Sequence, residues 1–208
     1  MSRPFEDTAL RTPEQTAPLV ADPAPLGLAG FGISTLLLSL INAGILGSTA
    51  GGGALKLGVM SVALTFGGLA QFVAGMWAFK RGNTFAATAF TSYGAFWFSF
   101  YLLVFVFVPQ MKGASTADIT TFLGTYLLAW GIFTAYMFLA SLAGARAVQA
   151  VFFLLTITFV LLAISFYAGS DTIGKAGGWF GLATAAAALY ASFADVTNAN
   201  FKRRVLPT

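Results

Sequence analysis

The sequence predicts an all-α membrane protein with six transmembrane helices and both termini cytoplasmic. Three observations carry that prediction. First, 58% of the 208 residues are hydrophobic and 9% are charged, against about 25% charged in an ordinary soluble chain; mean hydropathy is +0.82. Second, the charges leave six charge-free runs, at 23–55, 57–79, 82–111, 119–145, 147–170 and 176–194. A helix rising ~1.5 Å per residue needs ~20 apolar residues to cross ~30 Å of hydrocarbon, and a charge at the bilayer centre costs ~2.5–3.5 kcal/mol. Third, six spans place Arg3, Arg11, Lys80, Arg81, Arg146, Lys202, Arg203 and Arg204 on one side and Lys56, Lys112 and Lys175 on the other. Basic residues mark the cytoplasmic side, and five or seven spans would blur the asymmetry. The runs are too long for barrel strands and do not alternate polar with apolar residues.

Residues 1–21 are polar, mixed in charge and interrupted by Pro4, Pro13 and Pro18. They read as a disordered cytoplasmic tail and lack the early apolar core of a secretory signal. The first helix is expected over Leu26–Leu46. It carries Phe31, Ser34, Thr35, Leu38 and Asn42 on one face. A lone Phe on an apolar helix ordinarily packs, but Asn42 needs a partner in hydrocarbon.

The second helix, Leu57–Phe79, places Gly67, Gln71 and Gly75 at i, i+4, i+8, the pattern of a close helix crossing. Gln71 must bond to a neighbouring helix or face water, because an unpaired amide costs several kcal/mol there. The third helix, Phe85–Val108, is preceded by Asn83. It aligns Thr84, Thr88, Thr91, Ser92, Ala95 and Ser99 on one face, with Tyr93 and Trp97 on the adjacent strip. Single hydroxyls of this kind often bond back to their own helix or bridge two helices. A whole stripe beside Tyr93 is read here as a wet path. The remaining helices are expected over Ile119–Leu142, Ala147–Tyr167 and Gly177–Val196. The longest outer connection, Pro109 to Asp118, is too short for a domain. Residues 22–199 therefore form one six-helix transmembrane domain, followed by a basic cytoplasmic C-terminal tail at 200–208.

Absences narrow the chemistry. The chain has no Cys and no His, which removes disulfides, thiolate nucleophiles, Ser-His-Asp triads and imidazole metal sites. No enzyme, cofactor or metal is expected. No charged residue lies in the middle of a span, and Asp195 stands near the inner end of the sixth. A path edged by Tyr, Thr, Ser and Asn donors and narrowed by Phe suits a small, weakly polar solute. A carboxylic acid entering whole, or as anion plus proton, couples to protons without a titrating side chain. A channel for a neutral solute such as urea or ammonia fits the same residues. A structural oligomer packed through Gly and Ala is a third class, and its mark would be a dry, filled protomer centre. The net charge of +4 and pI near 9.6 place basic residues beside anionic lipid at the cytoplasmic face, with no nucleic-acid partner expected.

The segment Asp22-Pro23-Ala24-Pro25-Leu26-Gly27-Leu28 resembles the opening signature of the acetate uptake transporter family, also called the succinate–acetate permease family. The similarity continues at Gly30-Phe31-Gly32 and Gly67-Gly68-Leu69-Ala70-Gln71. It is strongest at Gly82-Asn83-Thr84-Phe85 and Phe90-Thr91-Ser92-Tyr93-Gly94-Ala95-Phe96-Trp97. Gly144-Ala145-Arg146 and Val205-Leu206-Pro207 resemble later landmarks. The resemblance implies six helices around a narrow path in each protomer, a homo-hexamer in the cell (inner or plasma) membrane, and passage of acetate, succinate or other short carboxylates; a proton accompanies them on the chemical argument above. The resemblance also implies a hydrophobic constriction at Phe31, Tyr93 and Leu155, and polar lining by Asn83, Thr91, Gln71 and Thr88. One departure stands out: the family usually has Asn where this chain has Asp22. Asp22 is expected to cap the first helix, although its charge would repel a carboxylate near the mouth.

Overall fold

A computed structural model describes residues 20–47 and 52–208. Most of the expected N-terminal tail, with Arg3, Arg11, Pro4, Pro13 and Pro18, lies outside the described residues. Six helices are long and apolar enough to cross a membrane: α1 (Ala24–Asn42), α2 (Ala54–Lys80), α3 (Thr84–Gln110), α4 (Thr116–Ser141), α5 (Arg146–Ala168) and α6 (Asp171–Phe201).

The boundaries differ from the charge-free runs for local reasons. α1 ends at Asn42 because Gly44 and Gly47 take positive φ, 76° and 82°, which glycine tolerates without a Cβ clash. α6 starts well before Gly177 and continues past Val196. Asp171 sits in its first turn, where the helix dipole favours an anion, and the Ser170 hydroxyl accepts from the Ile173 amide at 3.5 Å. Asp171 is thus a helix-end residue, whereas Lys175 and Asp195 lie within α6. The start of α4 shows the same logic, with Ser115 and Asp118 forming a reciprocal capping box. Two internal stretches, Ala63–Ala70 in α2 and Leu102–Phe107 in α3, wind as π-helix.

Each helix packs on its neighbours in sequence, and α6 returns to α1, so the six close into a ring. Glycines sit at the tightest crossings. A Cβ on Gly178 would strike the backbone of Asn42 and Ala43, and one on Gly94 would stand 2.8 Å from the Phe72 amide nitrogen. The α3–α4 seam is the looser one, and side chains bridge it. Tyr93 bonds Thr134 at 2.8 Å, Ser99 bonds Tyr126 at 2.7 Å, and the Phe96 and Trp130 rings meet edge to face at 5.1 Å.

Both described ends of the chain lie at one end of the ring. Arg81 Nη1 donates to the Val20 carbonyl at 2.7 Å, and Ser192 Oγ donates to the Pro25 carbonyl at 2.7 Å. The C-terminal segment folds back onto α6. There the Asn198 side chain accepts from the Val205 and Leu206 amides and donates to the Leu206 carbonyl. Tyr190 donates to the Pro207 carbonyl at 2.7 Å.

Candidate functional site

Three cavities run in series through the ring. The first, of about 360 Å³, opens at the end that holds the chain termini. Its walls include Phe31, Gln71, Asn83, Tyr93, Phe152 and Leu155. The second, of about 150 Å³, lies deeper between α1, α3, α4 and α5, and its walls are mostly aromatic and aliphatic. The third, of about 460 Å³, opens at the opposite end among Asn42, Lys56, Ser170, Asp171 and Lys175. Phe31 and Leu155 border both the first and the middle cavity. Asn42, Lys56, Leu162 and Phe166 border both the middle and the third.

Phe31, Tyr93 and Leu155 are 5%, 3% and 3% exposed. The Tyr93 ring lies 5.6 Å from Phe31, 5.4 Å from Phe133 and 6.1 Å from Phe152, centroid to centroid. Close aromatic packing on several sides fixes the ring in place. Its hydroxyl is also fixed. Thr134 Oγ1 donates to the Trp130 carbonyl at 2.7 Å, so it can only accept from Tyr93 at 2.8 Å. The sequence reads Tyr93 as one of the donors edging the path. In this arrangement its proton is already committed to Thr134.

The other expected residues divide into two groups. Gln71 and Asn83 border the first cavity, and Thr35, Asn42 and Trp97 border the middle one. Gln71 is 1% exposed, and its Oε1 has no protein partner. The sequence allowed a neighbouring helix or water as its partner; among the described residues the oxygen is buried without a hydrogen bond, in a residue that borders the cavity. Asn83 also serves the fold, since Oδ1 accepts from the Ala86 amide at 3.0 Å and caps α3.

Ser34, Thr88, Thr91 and Ser92 border none of the three cavities. Ser34 donates to the Val62 carbonyl at 3.5 Å and packs against Gly67, while Thr91 packs against Gly75. Thr88 and Ser92 are half-buried, on the side of α3 where Thr84 and Ala95 are exposed. The inward face of α3 is instead Ala86, Ala89, Phe90, Tyr93, Phe96 and Trp97. Both stripes repeat with the helical period, and period alone does not say which one turns inward.

Asp22 Oδ1 accepts from the Ala24 amide at 3.0 Å, although Pro23 occupies the N-cap position. Oδ2 lies 4.0 Å from Arg81 Nη2. Asp22 does not border the first cavity; Asp195 does. Sequence reasoning used Lys56 only for the sidedness of the spans, as the one charge separating the first two apolar runs.

The sequence pattern described as the GPR1/FUN34/yaaH family matches residues 8–207. The chain is 45% identical over 188 residues to the "Succinate-acetate/proton symporter SatP" of Escherichia coli strain K12, covering 90% of this chain and 95% of that one. It is 37% identical over 179 residues to "Ammonia transport outward protein 2" of Saccharomyces cerevisiae, covering 85% of this chain and 61% of that one. Among solved structures, that of "the bacterial acetate channel SatP" superimposes with a TM-score of 0.80 at 44% identity, covering 90% of this chain and 98% of that one.

Proposed function

The chain belongs to the GPR1/FUN34/yaaH family, and from that premise we propose that it moves acetate and related short carboxylates, succinate among them, across the membrane. The observation that supports this reading best is the series of three cavities within a single chain, two of them meeting at Phe31 and Leu155. Phe31, Tyr93 and Leu155 form the constriction and hold it closed by excluding water. Gln71 and Asn83 solvate the solute on one side of it; Thr35, Asn42 and Trp97 do so on the other. Ser34, Thr88, Thr91 and Ser92 act through helix packing.

The proton travels with the substrate. Among the described residues, Asp195 is the one charged residue bordering the first cavity and Lys56 the one bordering the middle cavity. A bare carboxylate would have to give up its hydration at the constriction, which is costly, whereas the neutral acid crosses more readily. No side chain at the constriction has to titrate. In this reading the protein performs no enzymatic reaction. It works as a homo-hexamer of separate pores in the cell membrane, with the end that gathers Lys80, Arg81, Arg146 and the C-terminal residues on the cytoplasmic side.

The test is uptake of labelled acetate into proteoliposomes under an inward proton gradient. Saturable uptake competed by acetate, propionate and succinate, and indifferent to urea, is the expected result. Absence of saturable uptake, or competition by urea alone, overturns it.

A second reading, conduction of a neutral solute such as ammonia, is supported by the name of the yeast relative and by the apolar walls of the middle cavity. Ammonia-driven alkalinisation of the same vesicles, faster than in protein-free ones and unaffected by acetate, would favour it.

A further inference from the structure

The two mouths of the pathway differ in charge. Among the described residues, the cavity at the terminal end is bordered by Asp195 and by no cation. The cavity at the opposite end is bordered by Lys56, Lys175 and Asp171, an excess of one positive charge. Among the described residues neither lysine is in an ion pair; the one ion pair present joins Arg81 to Asp22.

The lysines are not equivalent. Lys175 borders the outer vestibule alone, with Cε 3.2 Å from where a Cβ on Gly44 would lie. Lys56 is half-buried at the start of α2 and borders both that vestibule and the narrow middle cavity beyond it. It is therefore the last cation on the way in. Past it, along the middle cavity, stand Phe96, Trp97, Phe100, Phe159 and Phe166. Asn42 borders the same two cavities and adds an amide donor at the threshold.

We propose that Lys56 is the carboxylate-capturing residue of this mouth. It holds the substrate as an anion, with Asn42 beside it and Lys175 flanking, before the substrate takes up a proton and sheds its water into the middle cavity. An ammonium group at a partly dehydrated threshold can hydrogen-bond the carboxylate and repay part of its lost hydration. A neutral solute gains only an ordinary ion–dipole hydrogen bond from it, weaker than the pairing with a carboxylate. The site thus selects for an acid over a neutral molecule of similar size, a discrimination that the apolar cavity cannot make.

This inference rests on the carboxylate-transport reading, and the experiment separates the two. Initial rates of labelled acetate uptake are measured in proteoliposomes at neutral pH over a range of acetate and of salt, for the unmodified chain, Lys56→Gln, Lys56→Arg and Lys175→Gln. Lys56→Gln is expected to raise the apparent KM about tenfold, the size of effect set by losing one charge-assisted hydrogen bond. The maximal rate should change little, and the fall of uptake with rising salt should flatten. Lys56→Arg restores the KM, and Lys175→Gln raises it less than Lys56→Gln does. An unchanged KM and salt dependence in Lys56→Gln overturns the proposal while leaving acetate transport intact. Loss of uptake that Lys56→Arg does not restore also overturns it, because a structural role would then explain the effect. Absence of saturable uptake by the unmodified chain defeats the transport reading itself.

Discussion

The hydroxyl of Tyr93 has one proton, and Thr134 receives it because the proton of Thr134 is committed to the Trp130 carbonyl. In the proposed gate it is the ring of Tyr93 that narrows the path, while its hydroxyl ties α3 to α4. Tyr93→Phe should keep size selectivity and lose about 1 kcal/mol of stability, the net worth of one buried hydrogen bond; a melting curve in detergent alongside a solute-size series measures both. Alanine at Phe31, Tyr93 and Leu155 together should instead let solutes larger than acetate leak through. Each truncation costs about 2–5 kcal/mol of packing, so Leu155→Ala alone, with a smaller leak in the same direction, is the companion measurement. Unchanged size selectivity in both would rule out this gate. Phe31 and Leu155 are not distinguishable by composition or period from the many other apolar residues of their helices. The family resemblance marks them, and the fold brings them to where two cavities meet.

At the level of helices, small residues decide how closely the ring can close. A Cβ on Gly75 would come within 2.5 Å of the Thr91 backbone nitrogen, whereas one on Gly58 would meet nothing within 4 Å. Gly75→Val should therefore destabilise the protein by about 3 kcal/mol or more through overpacking. Gly58→Ala should stabilise it by about 0.5–1 kcal/mol, since glycine costs a helix that much relative to alanine. Thermal unfolding of the two variants checks the contrast. The glycine pattern in α2 was legible as a close crossing because its i, i+4 spacing already names one helix face. The inward face of α3 was not. Its hydroxyls suggested a wet lining, yet the alanine and aromatic face turns to the centre. The π-helical stretches Ala63–Ala70 and Leu102–Phe107 left no mark in the apolar sequence either.

For the whole molecule, the distribution of lysine and arginine makes a prediction about sidedness. Cysteine is absent from the chain, so single cysteines can be introduced without background. Lys175→Cys should react with a membrane-impermeant maleimide in intact cells, and Arg204→Cys should react only once the membrane is opened. Labelling of both from the same side would contradict the six-span frame. The docking of residues 205–207 onto α6 gives the second site an ordered surround.

The number of helices, their approximate limits and the grouping of their ends follow from the residues themselves. Hydrocarbon penalises every charge and every unpaired backbone group, so the positions of the charged residues are enough to mark out the spans. Tertiary packing alone decides which stripe of a helix meets the centre and which hydroxyl spends its proton on a neighbour. It also decides that Lys56 stands at a threshold between two cavities. Those outcomes depend on rotation and translation of one helix against another, and a one-dimensional period carries no information about either.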